Sequence, residues 1–274
     1  MQSEVQYRSL KEVTMSTYSQ FDHPSILQYL FYPRPEEGPS ITGNSIIELS
    51  IPVEQNITIG GKLFIADRKA PLILFFHGNG EIVADYDDLG PLFSRLGINF
   101  MPVDYRGYGR SGGSPSVSSM MKDCHTIYDF CTGWMSENGF NGKIIVMGRS
   151  LGSASALELV SGHGGSIDAL IIDSGFAYAL PLLRIIGADP DRLGITEEDG
   201  FRNTEKIRQF RGPTLIIHAE FDHIIPYSDG VALFESSPAE KKKMLAIPGA
   251  NHNTIFMHGL NEYINAVREL ALSL

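Results

Sequence analysis

Six short apolar runs follow one another along the chain, each separated from the next by enough residues for a helix: Leu72 to His77, Ile98 to Asp104, Lys143 to Gly148, Ala169 to Asp173, Thr214 to Ala219 and Lys243 to Pro248. A run of this length without polar alternation reads as a strand buried on both faces, and strands of that kind lie in parallel sheets covered by crossover helices. Helix-length segments fall between or after them at 82–96, 116–138, 151–161, 227–236 and 253–273. Two further strand-like runs, 45–53 and 56–66, are close enough to pair as an antiparallel ribbon. The pattern predicts an α/β protein with a mostly parallel, doubly wound sheet of about eight strands.

With 274 residues, 43% of them hydrophobic, the chain can bury one large core. We expect an N-terminal arm over 1–40, polar and then proline-rich and wrapped on the domain surface, followed by a single domain over 41–274. The long interruption at 175–212 would be a small lid insertion. The formal net charge of −10, with basic residues scattered, argues against nucleic acid as a partner. The one basic run, Lys241 to Lys243, opens a strand and reads as a solvated edge guard. Cys124 and Cys131 fall on about the same face of a helix, as two reduced packing residues would, and suggest neither a disulfide framework nor a metal site. The N-terminus lacks a basic start followed by an apolar run, and no stretch approaches the roughly 18 apolar residues that would span a membrane. A cytoplasmic location without stable membrane anchoring is expected; the oligomeric state is left open.

The chemistry concentrates at Gly148-Arg149-Ser150-Leu151-Gly152, a G-x-S-x-G directly after one apolar run and directly before a helix-like segment. A serine hydroxyl needs a base to take its proton and must stand clear of the backbone to reach a carbonyl. A sharp strand-to-helix turn provides the second condition, with glycines where the two backbones crowd. Ser150 would then lie at a helix N-terminus, where N–H groups favour developing negative charge. The base and its orienting acid should follow in chain order, after later strands. Asp222 follows the run ending at Ala219, and His252 follows the last run. His252 is the expected general base, with Asp222 holding its tautomer. Among rivals, His218 lies inside a strand run and reads as a core residue, His223 precedes the last strand, and His163 and His258 read as surface residues. Asp173 also ends a strand and competes with Asp222 as the acid.

A third motif, His77-Gly78-Asn79-Gly80-Glu81, follows the first apolar run of the six. An oxyanion needs two N–H donors, one from the residue after the nucleophile and one from a loop after an early strand. Leu151 and Asn79 are the candidates, with His77 bracing the loop through hydrogen bonds.

HGNGE, DYRGYGRSGGSP at 104–115, GRSLGS, FDHIIP and PGANHN occur in that order, and over roughly residues 60–270 the chain resembles the alpha/beta-hydrolase superfamily. It is especially similar to bacterial hydrolases related to the eukaryotic alpha/beta-hydrolase-domain depalmitoylases. The resemblance implies the alpha/beta-hydrolase fold, a triad of Ser150, Asp222 and His252, an oxyanion hole from the Asn79 and Leu151 amides, no cofactor or metal, and a small-molecule acyl substrate. The eukaryotic depalmitoylases resemble one another in a cysteine-rich, lipid-modified N-terminus, whereas residues 1–40 here hold no cysteine. Two other classes compete with a serine hydrolase. Gly107-Tyr108-Gly109-Arg110-Ser111-Gly112 is a literal G-x-G-x-x-G and suggests a dinucleotide-binding oxidoreductase, but it should open a helix at once, and Gly113-Ser114-Pro115 follows instead. A non-catalytic member that binds a ligand in the same pocket would be marked by a lost triad residue, and none is lost.

Overall fold

The computed structural model of the protein describes residues 18–274, so the first part of the expected arm, 1–17, lies outside the described residues. The eight apolar runs form β1 (Ile46–Glu54), β2 (Ile57–Phe64), β3 (Leu72–Phe76), β4 (Asn99–Val103), β5 (Ile144–Arg149), β6 (Ala169–Asp173), β7 (Thr214–Ala219) and β8 (Lys242–Ile247). They make one sheet in the order β1-β2-β4-β3-β5-β6-β7-β8. β1 and β2 pair antiparallel through a tight hairpin in which Asn56 takes φ +65°, and β2 meets β4 antiparallel. Every later pairing is parallel.

The side chains of each central strand alternate between two cores, as the pleat requires. Leu72, Leu74 and Phe76 of β3, Val146 of β5 and Leu170 and Ile172 of β6 face a larger core with α3 (Val117–Glu137), α4 (Gly152–His163) and Leu233 of α7 (Tyr227–Ser236). Ile73, Phe75, Ile145, Met147 and Ile171 face the opposite core with α2 (Leu89–Arg95) and α8 (Ile255–Leu272). Helices therefore cover both faces. The chain has the alpha/beta-hydrolase fold: a mostly parallel eight-stranded sheet, with its β3 and β5 neighbours at the centre.

Two segments lie outside this regular plan. Residues 18–40 carry α1 (Pro24–Leu30), and Tyr18, Phe21, Ile26, Leu30 and Phe31 are buried in the larger core. Residues 175–212 carry α5 (Ala179–Ile185) and α6 (Asn203–Ile207), joined by two turns of 3-10 helix. Glu197 caps α5 from across the insertion, accepting from Ala179 N at 2.9 Å and Leu180 N at 2.8 Å. Phe176, Leu182, Leu183, Ile195 and Phe201 of this insertion pack into the core, while Tyr178 and Ile185 stay exposed. β8 ends the sheet with its lysines at the edge, and Lys242 donates to Phe234 O and Ser237 O at 2.8 Å each. Among the described residues no helix is long and apolar enough to cross a membrane.

Candidate active site

Ser150 directly follows the last residue of β5, with Leu151 between it and the start of α4, and it takes φ +49°. That left-handed conformation costs a non-glycine residue about 1–2 kcal/mol, so the surroundings must enforce it. They do so by contact. A Cβ at Gly148 would lie 2.3 Å from Gly152 O, and one at Gly152 would lie 2.1 Å from Phe76 O and 2.7 Å from His77 O. The first turn of α4 thus presses on the end of β5 and on the neighbouring end of β3, and only glycine fits at either point. Gly152, Ser153, Ala154, Ser155 and Ala156, all buried and small, let the helix approach that closely. Ser150 N donates to Asp173 O at 2.8 Å, and Ser150 O accepts from Ser153 N at 3.0 Å and Ser153 Oγ at 2.6 Å.

The hydroxyl so presented meets the base expected of it. Ser150 Oγ lies 3.0 Å from His252 Nε2, and His252 Nδ1 lies 2.7 Å from Asp222 Oδ2. His252 stands in the loop between β8 and α8, and Asp222 in the loop between β7 and α7. The other Asp222 oxygen accepts from Ile224 N at 3.0 Å and Ile225 N at 2.8 Å, which fixes the carboxylate plane. Burial pushes the Asp222 carboxyl up, but the hydrogen bond and charge of His252, with the two amides, outweigh it and leave the pKa below the ordinary value. Asp222 is therefore held as the anion that an imidazolium at His252 would need.

The loop after β3 is built differently. Gly80 takes φ +76°, and side chains hold the turn around it. Asn79 Oδ1 accepts from Tyr108 Oη and from Tyr32 N, both at 2.7 Å, and Arg34 Nε donates to Gly80 O at 2.7 Å. His77 Nε2 donates to Asp104 Oδ1 at 3.2 Å, and the same oxygen accepts from Val83 N at 3.0 Å. Phe76 and Gly148 are register partners, so the loops after β3 and β5 emerge side by side. Among the described residues no protein oxygen accepts the N–H of Asn79 or of Leu151. Those two donors are the pair expected for an oxyanion.

The structure brings Ser150, Asp222 and His252 into one hydrogen-bonded chain and places Asn79 and Leu151 on adjoining loops. Asp173 is fully buried and bonded to Arg149, Ser174 and Tyr263, without a histidine partner. His218 is a core residue beneath the acid, donating from Nε2 to Ile225 O at 2.9 Å, and His223 is exposed. His163 differs from a surface residue: its ring lies 2.9 Å from His125 Nδ1 and stacks near Tyr128. The GYGRSG stretch opens no helix, because α3 begins at Val117. It folds back as a loop, with Gly112 N donating to Thr58 O at 3.0 Å, and Gly109 abuts Asp104 where any Cβ would collide. Glu81 and Arg149 lie inside motifs visible in the sequence, yet sequence reasoning gave them no part. Their partners are 68 residues apart, a separation that no spacing rule detects.

A strained serine between a parallel strand and a small-residue helix, with acid and histidine on the next loops in order, is the arrangement of the alpha/beta hydrolases. The family model for serine aminopeptidase, S33, matches residues 67–184. Human alpha/beta hydrolase domain-containing protein 17B is 30% identical over 207 residues, 72% of this chain and 65% of its own length. The aho-3 protein of Caenorhabditis elegans, another alpha/beta hydrolase domain-containing protein, is 31% identical over 194 residues, 68% of this chain and 53% of its own. The match thus spans just under two thirds of the first relative and about half of the second. Among solved structures, Est1E of Butyrivibrio proteoclasticus with ferulic acid bound has a TM-score of 0.68 at 20% identity, covering 82% of this chain and 98% of that one. The Pyrococcus furiosus esterase Pf2001 has a TM-score of 0.69 at 17% identity, covering 86% and 98%. The chain belongs to the alpha/beta-hydrolase superfamily.

Proposed function

We propose that this protein is a serine hydrolase that cleaves a small-molecule carboxylic ester, thioester or amide through an acyl-enzyme on Ser150. The observation that carries the reading is the unbroken chain from Asp222 through His252 to Ser150 Oγ, at 2.7 and 3.0 Å, with the serine forced clear of its backbone. In this reading Ser150 Oγ attacks the carbonyl carbon while His252 Nε2 takes its proton, and Asp222 stabilises the imidazolium that forms. The Asn79 and Leu151 amides donate to the tetrahedral oxyanion, aided by the positive end of α4. Collapse expels the alcohol, thiol or amine, which leaves with the proton from His252. Water then attacks the acyl-enzyme by the same route, and Ser150 regains its proton as the acid departs.

Treatment with a fluorophosphonate probe should add one adduct by intact mass, at Ser150. Ser150→Ala should remove the adduct and lower turnover of p-nitrophenyl esters by about a million-fold. An adduct of equal yield on Ser150→Ala would overturn the assignment, and an unlabelled wild-type protein would favour a ligand-binding member of the superfamily instead.

A further inference from the structure

The residue immediately before the nucleophile is a buried arginine. Only 6% of the Arg149 side chain is exposed, and each of its three nitrogens reaches a different segment. Nε donates to Glu81 Oε1 at 2.9 Å, Nη1 to Asp173 Oδ2 at 3.1 Å, and Nη2 to the main-chain oxygen of His252 at 2.9 Å. The Phe256 ring lies against the guanidinium, 5.9 Å from Cζ to its centroid. Glu81 passes the connection on, because its second oxygen accepts from Gly78 N at 2.7 Å and from Tyr86 Oη at 2.5 Å. Asp173 closes the circuit, since its own carbonyl receives Ser150 N.

Burying a cation with two carboxylates contributes little net stability compared with well-packed apolar side chains of the same volume, so stability alone does not account for the cluster. Its geometry does. A planar fork with fixed donor directions can register three acceptors at once, which a flexible ammonium cannot. The three acceptors belong to the loop that bears the general base, the loop that bears the oxyanion donor and the end of β6 that anchors the backbone of the nucleophile. We propose that Arg149 and Glu81 are positioning residues for the reaction: the guanidinium locks the His252 backbone and, through Glu81, the Gly78–Asn79 turn in register with Ser150. This inference rests on the acyl-hydrolase reading.

The test compares Arg149→Lys and Glu81→Gln with wild type in turnover of a p-nitrophenyl ester, in fluorophosphonate labelling and in thermal melting. Arg149→Lys keeps the charge and loses the fork; Glu81→Gln keeps an oxygen acceptor and loses the charge. A misplacement of the order of an ångström costs about a hundredfold in rate, so kcat should fall about tenfold to a hundredfold in both variants. KM should stay within a few-fold, because no substrate contact is removed. Glu81→Gln should retain more activity than Glu81→Ala, since its amide oxygen can still take the Gly78 N–H. If Arg149→Lys does not fold, the two Glu81 variants carry the comparison. Unchanged kcat in folded Glu81→Ala overturns the inference, as does a loss of kcat that follows only the melted fraction and returns on cooling. A wild-type protein that neither labels nor turns over overturns the hydrolase reading and this inference together, whereas labelled wild type with indifferent variants overturns this inference alone.

Discussion

The loops after β3 and β5 stand side by side at the same edge of the sheet and are held by opposite means. The turn at Ser150 is locked by backbone contact, with a Cβ at Gly148 or Gly152 placed 2.3 and 2.1 Å from main-chain oxygens. The turn at Asn79 and Gly80 is latched by side chains from Tyr108, Arg34 and Glu81, and by Tyr32 N from the N-terminal segment. Close packing tolerates almost no substitution and leaves a signature in the sequence. A latch made of separate hydrogen bonds can be loosened one bond at a time, each worth about 1 kcal/mol net. The Ser150 loop should therefore fail abruptly and the neighbouring loop by degrees.

The contrast would break first if the Ser150 loop drew on a carboxylate beyond its packing. Asp173, whose carbonyl anchors Ser150 N, is the carboxylate best placed for that, while Asp222 is the one bonded to His252. Asp222→Asn should lower kcat about ten-thousand-fold by presenting the wrong histidine tautomer. Asp173→Asn should be far milder, since among the described residues its carboxylate meets only Arg149, Ser174 and Tyr263. Steady-state kinetics on the two variants decide, and a reversed order would make Asp173 the acid.

Gly152→Ala tests the packing itself. The added methyl meets Phe76 O, Phe76 C and His77 O within 2.7 Å, all backbone atoms that cannot swing away. Overpacking of this kind costs about 1–3 kcal/mol. The displaced turn should lower kcat about a hundredfold in protein that remains folded. A variant with wild-type kcat would show that the elbow is more pliable than its contacts suggest.

This difference also explains what could be read from the sequence. The six parallel strands β3 to β8 were legible because apolar runs without alternation have few other solutions, and they start or end within a residue or two of the expected positions. The G-x-S-x-G turn was legible because glycine is the only residue that fits at 148 and 152. The segment 82–96, expected as one helix, is a 3-10 turn over Val83–Tyr86 followed by α2. Local polar groups break it: Asp85 Oδ2 accepts from Ile82 N at 3.0 Å, and Asp104 takes Val83 N. The entry of Phe21, Ile26 and Phe31 into the core was hidden because these apolar residues stand five apart in a polar stretch, a spacing that matches neither the helical nor the strand period. Candidate residues in the triad could be found by chain order. Glu81 and Arg149 could not, because an ion pair between distant residues leaves no local pattern.

Loosening the latch by one hydroxyl should give a small effect. Tyr108→Phe removes one of the two donors to Asn79 Oδ1 and the second acceptor of Tyr32 N, whose bond to Asn79 Oδ1 stays in place. The loss of about 1 kcal/mol corresponds to a fall of about fivefold in kcat/KM for an ester substrate. A drop as large as that of Gly152→Ala would mean that the two loops are one rigid unit and would erase the contrast.

The smallest effect separates the two loops without mutation, by pH. Burial pushes the Glu81 carboxyl up, but the Arg149 charge, the Tyr86 hydroxyl and the Arg149 hydrogen bond outweigh it and hold the pKa at about 2, below its ordinary 4.5. A carboxyl depressed on folding contributes stability that is complete above the ordinary value and is lost as pH falls through the folded one. Between about pH 4.5 and 2, therefore, the stability that ionised Glu81 lends to the Gly78 turn should decline progressively. The contacts of Gly148 and Gly152 involve no titrating group and should not respond in themselves. Hydrogen exchange followed by mass spectrometry, corrected for the intrinsic acid dependence, should show protection at residues 78–81 falling as the solution is acidified. The peptide spanning 152–160 should keep its protection until the whole fold yields. In Glu81→Gln the selective loss should disappear, because the group that titrates is gone. Parallel loss in both segments of wild type would place acid sensitivity in the fold as a whole and not in the latch.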